Sequence, residues 1–472
     1  MSDKPYRPIL ILLTANWLTM TGSALVVFAG VVLLFLIPVH MSGHVTNPYS
    51  GLLAFLIIPA LLLLGLLIIP VGLIVARRSG VAVMAGVVDR KAAWRKAVLF
   101  FGVMTAINVL VGGQLSYRAV EHMDTQQFCG QTCHAMTPQF VSHARPPHLR
   151  VACVSCHVSP GAAGYLKAKT AGTRRLMGAI FDKFERPIDY IPGQEGSASS
   201  AETCEVCHAR ETILGPRFRV LTKFADDETN TRTETALMMR VGGGATGGIH
   251  GAHLAPGITV RYSATDNKRQ TLPRVEYTNA KAGISRTFLA AGSTDASTKG
   301  LPTFVMQCAD CHNRVAHSFE LPDRAVDRVL ASGEIAPSLP FAKKIAVEIL
   351  QAKYADADDA GRKIPVVFEA FYRQKYPQVL AARQPEITRA GAALLAIYRQ
   401  NVFPELKVRW GTYPTNLGHM TSPGCFRCHD GDHATPDGKT ASQDCETCHR
   451  TLAVDEKDPA VLKDLGIGTA MK

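Results

Sequence analysis

Residues 153–157 read Cys153-Val154-Ser155-Cys156-His157. The same pattern returns as Cys204, Cys207 and His208, as Cys308, Cys311 and His312, as Cys425, Cys428 and His429, and as Cys445, Cys448 and His449. A sixth unit, Cys129, Cys133 and His134, has three spacer residues instead of two, and together the six units use all twelve cysteines of the 472-residue chain. Cys-x-x-Cys-His is a c-type haem attachment pattern. The two thiols bond to the haem vinyl groups and the adjacent histidine ligates the iron from one side. A disulfide framework explains an even cysteine count but not a histidine after every second cysteine. Structural zinc needs pairs converging on one ion, and six tandem Cys-Cys-His units give no fixed pairing. The expectation is six covalently bound haem c groups in an electron carrier.

Working outward from the motifs, the formal charge is +12, with 47% hydrophobic but only 7% aromatic residues. Most of the apolar content lies before residue 115, so the remainder is short of ordinary core-forming side chains, a deficit that six apolar macrocycles repair. About two propionates per haem offset the basic excess. No basic, aromatic-interleaved patch accompanies the charge, so a nucleic-acid partner is not expected.

Three apolar segments, about 9–37, 52–76 and 97–115, are long enough to cross a bilayer, which takes about 20 residues. The first is too long for the apolar core of a signal peptide and lacks a small-residue cleavage site, which favours an uncleaved helix. Lys4 and Arg7 precede it, the loop from His40 to Ser50 has no Lys or Arg, and the next loop carries Arg77, Arg78, Arg90, Lys91, Arg95 and Lys96. The positive-inside rule therefore places the N-terminus in the cytoplasm and everything after residue 115 outside, in a bacterial periplasm. No histidine falls within the three segments, so no membrane-embedded b-type haem is expected; His40 and His44 read as solvated loop residues.

The expected fold is mainly α with little regular structure. A three-helix membrane anchor (1–115) precedes a three-haem domain (116–215), a partly β insert without motifs (216–300) and a C-terminal three-haem domain (301–472). Helical composition marks 161–184, 322–333, 339–360 and 385–403, and Thr/Val-rich strands mark 257–265 and 274–278. Residues 242–248 match the letters G-x-G-x-x-G, but no strand–turn–helix unit frames them and they read as a loop.

Beyond the six motif histidines, the outer part carries His122, His143, His148, His250, His253, His317, His419 and His433. These are enough to give each iron a second imidazole, and bis-histidine coordination suits electron transfer. His148, His317, His419 and His433 are favoured because each lies within six residues of a motif; His250 and His253 follow the glycine loop.

The run Cys133-His134-Ala135-Met136-Thr137-Pro138, followed by His148 and the next motif, resembles the first two haems of the NapC/NirT/NrfH family of membrane-anchored multihaem quinol dehydrogenases. The close resemblance covers residues 116–185. It implies that Met136, and not His134, is a candidate iron ligand at haem 1. The family places a Lys and an Asp after the second motif, near the quinol. Lys167 or Lys169 fits the first, whereas Arg174 or Arg175 stands at the second. Three membrane segments and a long C-terminal extension depart from the small members. The stretches Asp310-Cys311-His312-Asn313-Arg314 and Gly424-Cys425-Phe426-Arg427-Cys428-His429 look like the larger inner-membrane cytochromes, of the ImcH type.

What the resemblance implies is menaquinol oxidation beside haem 1, with Glu121, Asp124, Lys167 and Lys169 as candidate proton acceptors. Electrons would pass along the haems to periplasmic soluble cytochromes or a terminal reductase, in anaerobic or extracellular respiration. The chain would act alone, as a homo-oligomer, or as a complex subunit. Two rivals are a relay without its own quinol site and a reductase of a small oxidant such as nitrite.

Overall fold

The computed structural model describes residues 13–14, 16–41, 57–78, 90–132, 134–188, 199–208, 215–242 and 247–467. The chain divides into two compact units, Met1–Thr132 and Cys133–Lys472.

The first unit is built from α1 (Trp17–Met41), α2 (Ile58–Arg78) and α3 (Arg90–Met123). Each contains an apolar window long enough to cross a membrane: Trp17–Leu34, Ile58–Ala76 and Trp94–Met123. In hydrocarbon, helix packing depends on close backbone approach at small residues. A Cβ added at Gly65 would stand 2.9 Å from the Gly22 carbonyl, and one added at Gly72 would stand 2.8 Å from the Thr19 nitrogen. Asn16 stitches the same pair together, its Nδ2 donating to the Gly72 carbonyl at 2.7 Å while its Oδ1 accepts from the Thr19 nitrogen at 2.9 Å. The expected start of α1 at residue 9 lies outside the described residues, as does His44. His40 lies in the last turn of α1, not in a loop.

The third span is much longer than the 97–115 expected. Its 34 residues make a helix of about 51 Å at 1.5 Å per residue, because the charged turns at either end are good helix formers. It runs to Met123, and a single π-type turn, Phe128–Thr132, follows with Cys129 inside it.

In the second unit each two-spacer motif is built on a single helical turn: Cys153–His157, Cys204–Val206, Cys308–Cys311, Gly424–Arg427 and Cys445–Cys448. Residues three apart fall on one face of such a turn, so the two thiols present together. Two of the turns stop one residue short of the second cysteine. Cys207 and Cys428 stand just past them as capping residues, their nitrogens donating to the carbonyls of Cys204 (3.2 Å) and Cys425 (3.3 Å). Both turns are of the tighter 3-10 type, whose bonds span three residues and so still hold the second cysteine to the first. Longer helices flank the motifs: α4 (Thr137–His143), α5 (Gly161–Ile180) and α6 (Gly248–Leu254). Gly247 and Gly248, with φ of 67° and 62°, supply the left-handed entry to α6; the rest of the glycine loop, 243–246, lies outside the described residues.

The expected strands at 257–265 and 274–278 appear as β3 (Ile258–Ser263) and β4 (Arg274–Asn279), and five others join them. β1 (Arg217–Phe224), β2 (Arg232–Met239) and β7 (His449–Glu456) form one antiparallel sheet, while β5 (Ile284–Leu289), β4, β3 and β6 (Thr303–Val305) form a second in that order. The insert does not complete its first sheet alone: β7, which begins at the histidine of the last motif, pairs with β2 in the register Met239 to His449.

Residues 322–401 fold into α7 (Pro322–Ala331), α8 (Ala342–Gln351), α9 (Ala357–Lys375) and α10 (Pro377–Asn401). The single helix expected over 339–360 is two, because Asp356 caps a new one with its carboxylate accepting from the Asp359 nitrogen at 2.7 Å. These helices enclose an ordinary apolar core of Ile364, Phe368, Tyr372, Ile387 and Leu394, joined by Phe224 of β1. The expected shortage of core-forming residues after residue 115 therefore does not hold for this module.

Candidate iron-ligating histidine pairs

A metal–imidazole bond of about 2.0 Å, plus about 1.1 Å from nitrogen to ring centre, puts two imidazoles on opposite sides of one ion about 6 Å apart. Among the described residues six histidine pairs have this spacing, and five of them join a motif histidine to one outside the motifs, the sixth being His143–His317. Ring centres are 6.1 Å apart for His157–His317, 6.1 Å for His208–His148 and 6.1 Å for His312–His250. They are 5.9 Å apart for His429–His253 and 6.3 Å for His449–His419. Face-to-face stacking would bring the centres closer than this, as in the 4.4 Å stack of His419 on Phe426.

Hydrogen bonding prepares the same rings for a metal. Nδ1 faces a backbone carbonyl in His250 (Val241, 2.7 Å), His253 (Ile249, 2.7 Å), His317 (Gln139, 3.0 Å), His148 (Val315, 3.2 Å) and His429 (Ser442, 2.7 Å). A carbonyl accepts from Nδ1–H, which leaves the lone pair on Nε2, as in metal-bound histidines generally. Burial lowers the pKa of His253 and His312, and brings His317 down to about 4, so these rings are neutral at pH 7.

The thiols beside these histidines differ in exposure. Cys156, Cys207, Cys425 and Cys445 are exposed, while Cys129, Cys153, Cys204, Cys308, Cys311, Cys428 and Cys448 are half-buried. In the third motif, Cys207 is thus the open member of its pair and Cys204 the sheltered one. Burial pushes the thiols of Cys311 and Cys428 up, to about 11 and about 12.

Nearness along the chain does not decide the partner. His148 precedes the second motif but faces His208 of the third; His317 follows the fourth but faces His157 of the second; His419 precedes the fifth but faces His449 of the sixth. A motif's own backbone covers one side of its ring system, so the opposite side is reached from a different segment. His250 and His253, three residues apart on α6, face the fourth and fifth motifs.

His433 is different. It is 3% exposed, its Nδ1 lies 2.9 Å from the Asp430 carboxylate, and its Nε2 lies 2.7 Å from the Leu272 carbonyl. Both nitrogens are committed, so this arrangement offers none to iron. His143 is buried on α4, its ring centre 5.9 Å from that of His317. His122 is exposed in the last turn of α3, edge-on to Phe128 at 5.6 Å.

Around the first motif, Met136 is half-buried in the turn His134–Met136; Cys133 and the His134 side chain lie outside the described residues. The candidate proton acceptors are surface groups. Glu121 is exposed and paired with Arg118 at 2.9 Å, and Asp124 lies just beyond α3. On α5, Lys167 is exposed and Lys169 is half-buried with its ammonium 4.9 Å from the Tyr165 ring centre.

The spacer residues of two motifs have roles that the motif pattern alone did not announce. Asp310, inside Cys308–Cys311, is buried; its carboxylate accepts from the Tyr262 hydroxyl, from Arg269 Nη1 at 3.1 Å and from the Gln307 nitrogen at 2.7 Å. Burial, then the Asp310 charge, pushes the Tyr262 phenol up, so it stays a donor. The fifth motif's spacer Arg427 donates to the carbonyls of Asp310 (2.8 Å), Arg269 (2.7 Å) and Gly424 (2.9 Å). The fourth and fifth motifs are thereby clamped together. Replacing Arg427 by methionine removes three hydrogen bonds from this clamp, although the Asp310 carbonyl keeps Asn416 Nδ2 at 3.0 Å, and is expected to cost about 2 kcal/mol, measured by denaturant unfolding of the haem-loaded protein.

Among the described residues no three or more His, Cys, Asp and Glu side chains gather as a metal cluster. The five two-spacer cysteine pairs, whose adjacent histidines each face a second imidazole, suit covalently attached haem.

Residues 91–217 match the N-terminal region of the NapC/NirT cytochrome c family. Over 456 residues the chain is also 33% identical to the cytochrome c-type protein ImcH of Geobacter sulfurreducens, covering 93% of this chain and 88% of that protein. The chain belongs to the NapC/NirT cytochrome c family. It is a membrane-anchored c-type cytochrome, and its family implies covalently bound haem c. The family match takes in α3 and the first three motifs. No solved structure matches the chain.

Proposed function

We propose that this NapC/NirT cytochrome is an inner-membrane quinol dehydrogenase with six haem c groups, oxidising menaquinol beside the first motif and passing electrons to periplasmic acceptors. The observation that carries the reading is that α3 leads from the membrane into the first motif, ending at Met123 with Cys129 six residues on. A lipid-soluble reductant meets the motif there without leaving the bilayer surface.

Bound haem supplies one-electron redox chemistry; the chain supplies attachment, ligands and spacing. The twelve cysteines anchor the groups. His157, His208, His312, His429 and His449 would hold five irons, with His317, His148, His250, His253 and His419 as their respective second ligands. Met136 is the candidate at the first. With both sides taken at five sites, no coordination position is left there for a small oxidant, which weighs against a nitrite reductase. Glu121, Asp124, Lys167 and Lys169 are the candidate groups to receive the quinol protons. The distribution of Lys and Arg supports a cytoplasmic N-terminus with the motifs in the periplasm. Soluble cytochromes or a terminal reductase would take the electrons.

The test is haem reduction by a menaquinol analogue with the purified chain alone in liposomes. The expected result is full reduction without a second protein. Reduction only after adding a separate quinol-oxidising subunit would assign the chain a relay role.

A further inference from the structure

The anchor contains a cleft lined by none of the motif residues. A cavity of about 260 Å³ opens between Ser23 and Val27 of α1 and Phe100, Phe101, Met104 and Asn108 of α3. Ser23 is 4% exposed, and its hydroxyl has no hydrogen-bond partner. Asn108 spends its Nδ2 on the Met104 carbonyl at 2.8 Å, while its Oδ1 is buried and receives no donor.

Both residues lie in the apolar spans, Ser23 within Trp17–Leu34 and Asn108 within Trp94–Met123. Water does not reach that depth to satisfy them, and an unmet polar atom in hydrocarbon is costly. Phospholipid headgroups stay at the interface. The ligand that meets this cleft has an O–H donor on a flat apolar body that dissolves at mid-bilayer. Phe100 and Phe101, edge to face at 5.2 Å, line the cleft with aromatic surface. The cavity is near the small end of ligand pockets, about 300 Å³, which fits a ring system and not a whole helix.

We propose that this cleft binds the head group of an isoprenoid quinol, one hydroxyl donating to Asn108 Oδ1 and Ser23 Oγ bonding the same group, with the tail in the bilayer. Asn108 is about 22 Å along α3 from Met123 at 1.5 Å per residue, so the cleft holds quinol at depth and is separate from the place where electrons leave it. The inference rests on the membrane spans and stands apart from the proposed quinol oxidation.

The experiment uses the full haem-loaded chain in nanodiscs and a photoreactive azidonaphthoquinone carrying an isoprenoid tail, with labelled peptides mapped by mass spectrometry. Label is expected within residues 18–30 and 98–109, displaced by excess unlabelled naphthoquinol but not by added phospholipid. Asn108→Leu removes the acceptor and should weaken labelling about tenfold, the value of one hydrogen bond, with haem content and quinol-driven haem reduction retained. Ser23→Ala should weaken it less. Wild-type chain unlabelled at both peptides, labelling unchanged in Asn108→Leu, displacement by phospholipid alone, or cross-links placing a helix of a second copy in the cleft would each overturn the proposal. Loss of quinol-driven haem reduction with cleft labelling intact would count against the oxidation reading alone.

Discussion

Replacing His253 by alanine is expected to turn one haem iron, that of the fifth motif, from low-spin to high-spin and leave the others unchanged. His253 faces His429 with ring centres 5.9 Å apart, and the Ile249 carbonyl holds its Nδ1 at 2.7 Å, so the Nε2 lone pair is left for a metal. Removing the ring opens a coordination position at the fifth motif without touching its cysteines. The variant should carry as many haems by mass as the wild type, lose the low-spin ferric signal of one iron, and regain it on adding free imidazole. His250→Ala should do the same at the fourth motif, since His250 and His253 share α6 but face different motifs. An unchanged spin state in His253→Ala would show that the fifth iron is ligated from elsewhere. By contrast, His433→Gln should leave the spin state of every iron unchanged, because both ring nitrogens of His433 are already bound to Asp430 and Leu272.

The largest stability effect is expected in the helical module that carries no motif. Lys343 of α8 is 3% exposed and its ammonium lies 2.8 Å from Oδ1 of Asp327 on α7, itself 6% exposed. The same ammonium donates to the Asp323 carbonyl at 2.7 Å, and Asp327 also accepts from the Phe224 nitrogen of β1 at 3.1 Å. Asp327→Ala leaves the buried ammonium with only the exposed Asp323 carboxylate, 3.7 Å away, as counter-charge and should cost about 3 kcal/mol. Replacing both partners by apolar residues of similar volume should cost far less, since an ion pair's own desolvation cancels much of its attraction. Denaturant unfolding followed by helical circular dichroism separates the two outcomes. Equal losses in the single and double variants would mean that packing, not charge, dominates at this site.

The sequence made one half of each candidate iron site readable and hid the other. A motif is local, because two thiols and a histidine fall on or beside one helical turn, so spacing alone identifies it. That Cys207 and Cys428 would cap their turns instead of lying within them was not legible, since the letters do not distinguish a 3-10 turn from an α-helical one. The second imidazole is a tertiary contact: His317 reaches back to the second motif and His419 forward to the sixth, and neither has a local signature. His433 sits closest to a motif yet is occupied by Asp430, which no spacing argument reveals. The spacer charges Asp310 and Arg427 were visible as letters, but their burial against Tyr262 and Arg269 was not. Membrane segments were legible from apolar run length, though not the polar turns that lengthen α3. β7 was hidden because its first residue, His449, already belonged to a motif. The break between α8 and α9 turned on one capping residue, Asp356, within an otherwise helical composition.

The most direct test of the account is the near-infrared magnetic circular dichroism of the fully oxidised wild-type protein, which separates bis-imidazole irons from those with methionine or an open position. Five bis-imidazole irons of six are predicted, one for each histidine pair. Fewer than five, or high-spin ferric signal from more than one iron, would contradict the ligand pairs on which the electron-transfer reading stands.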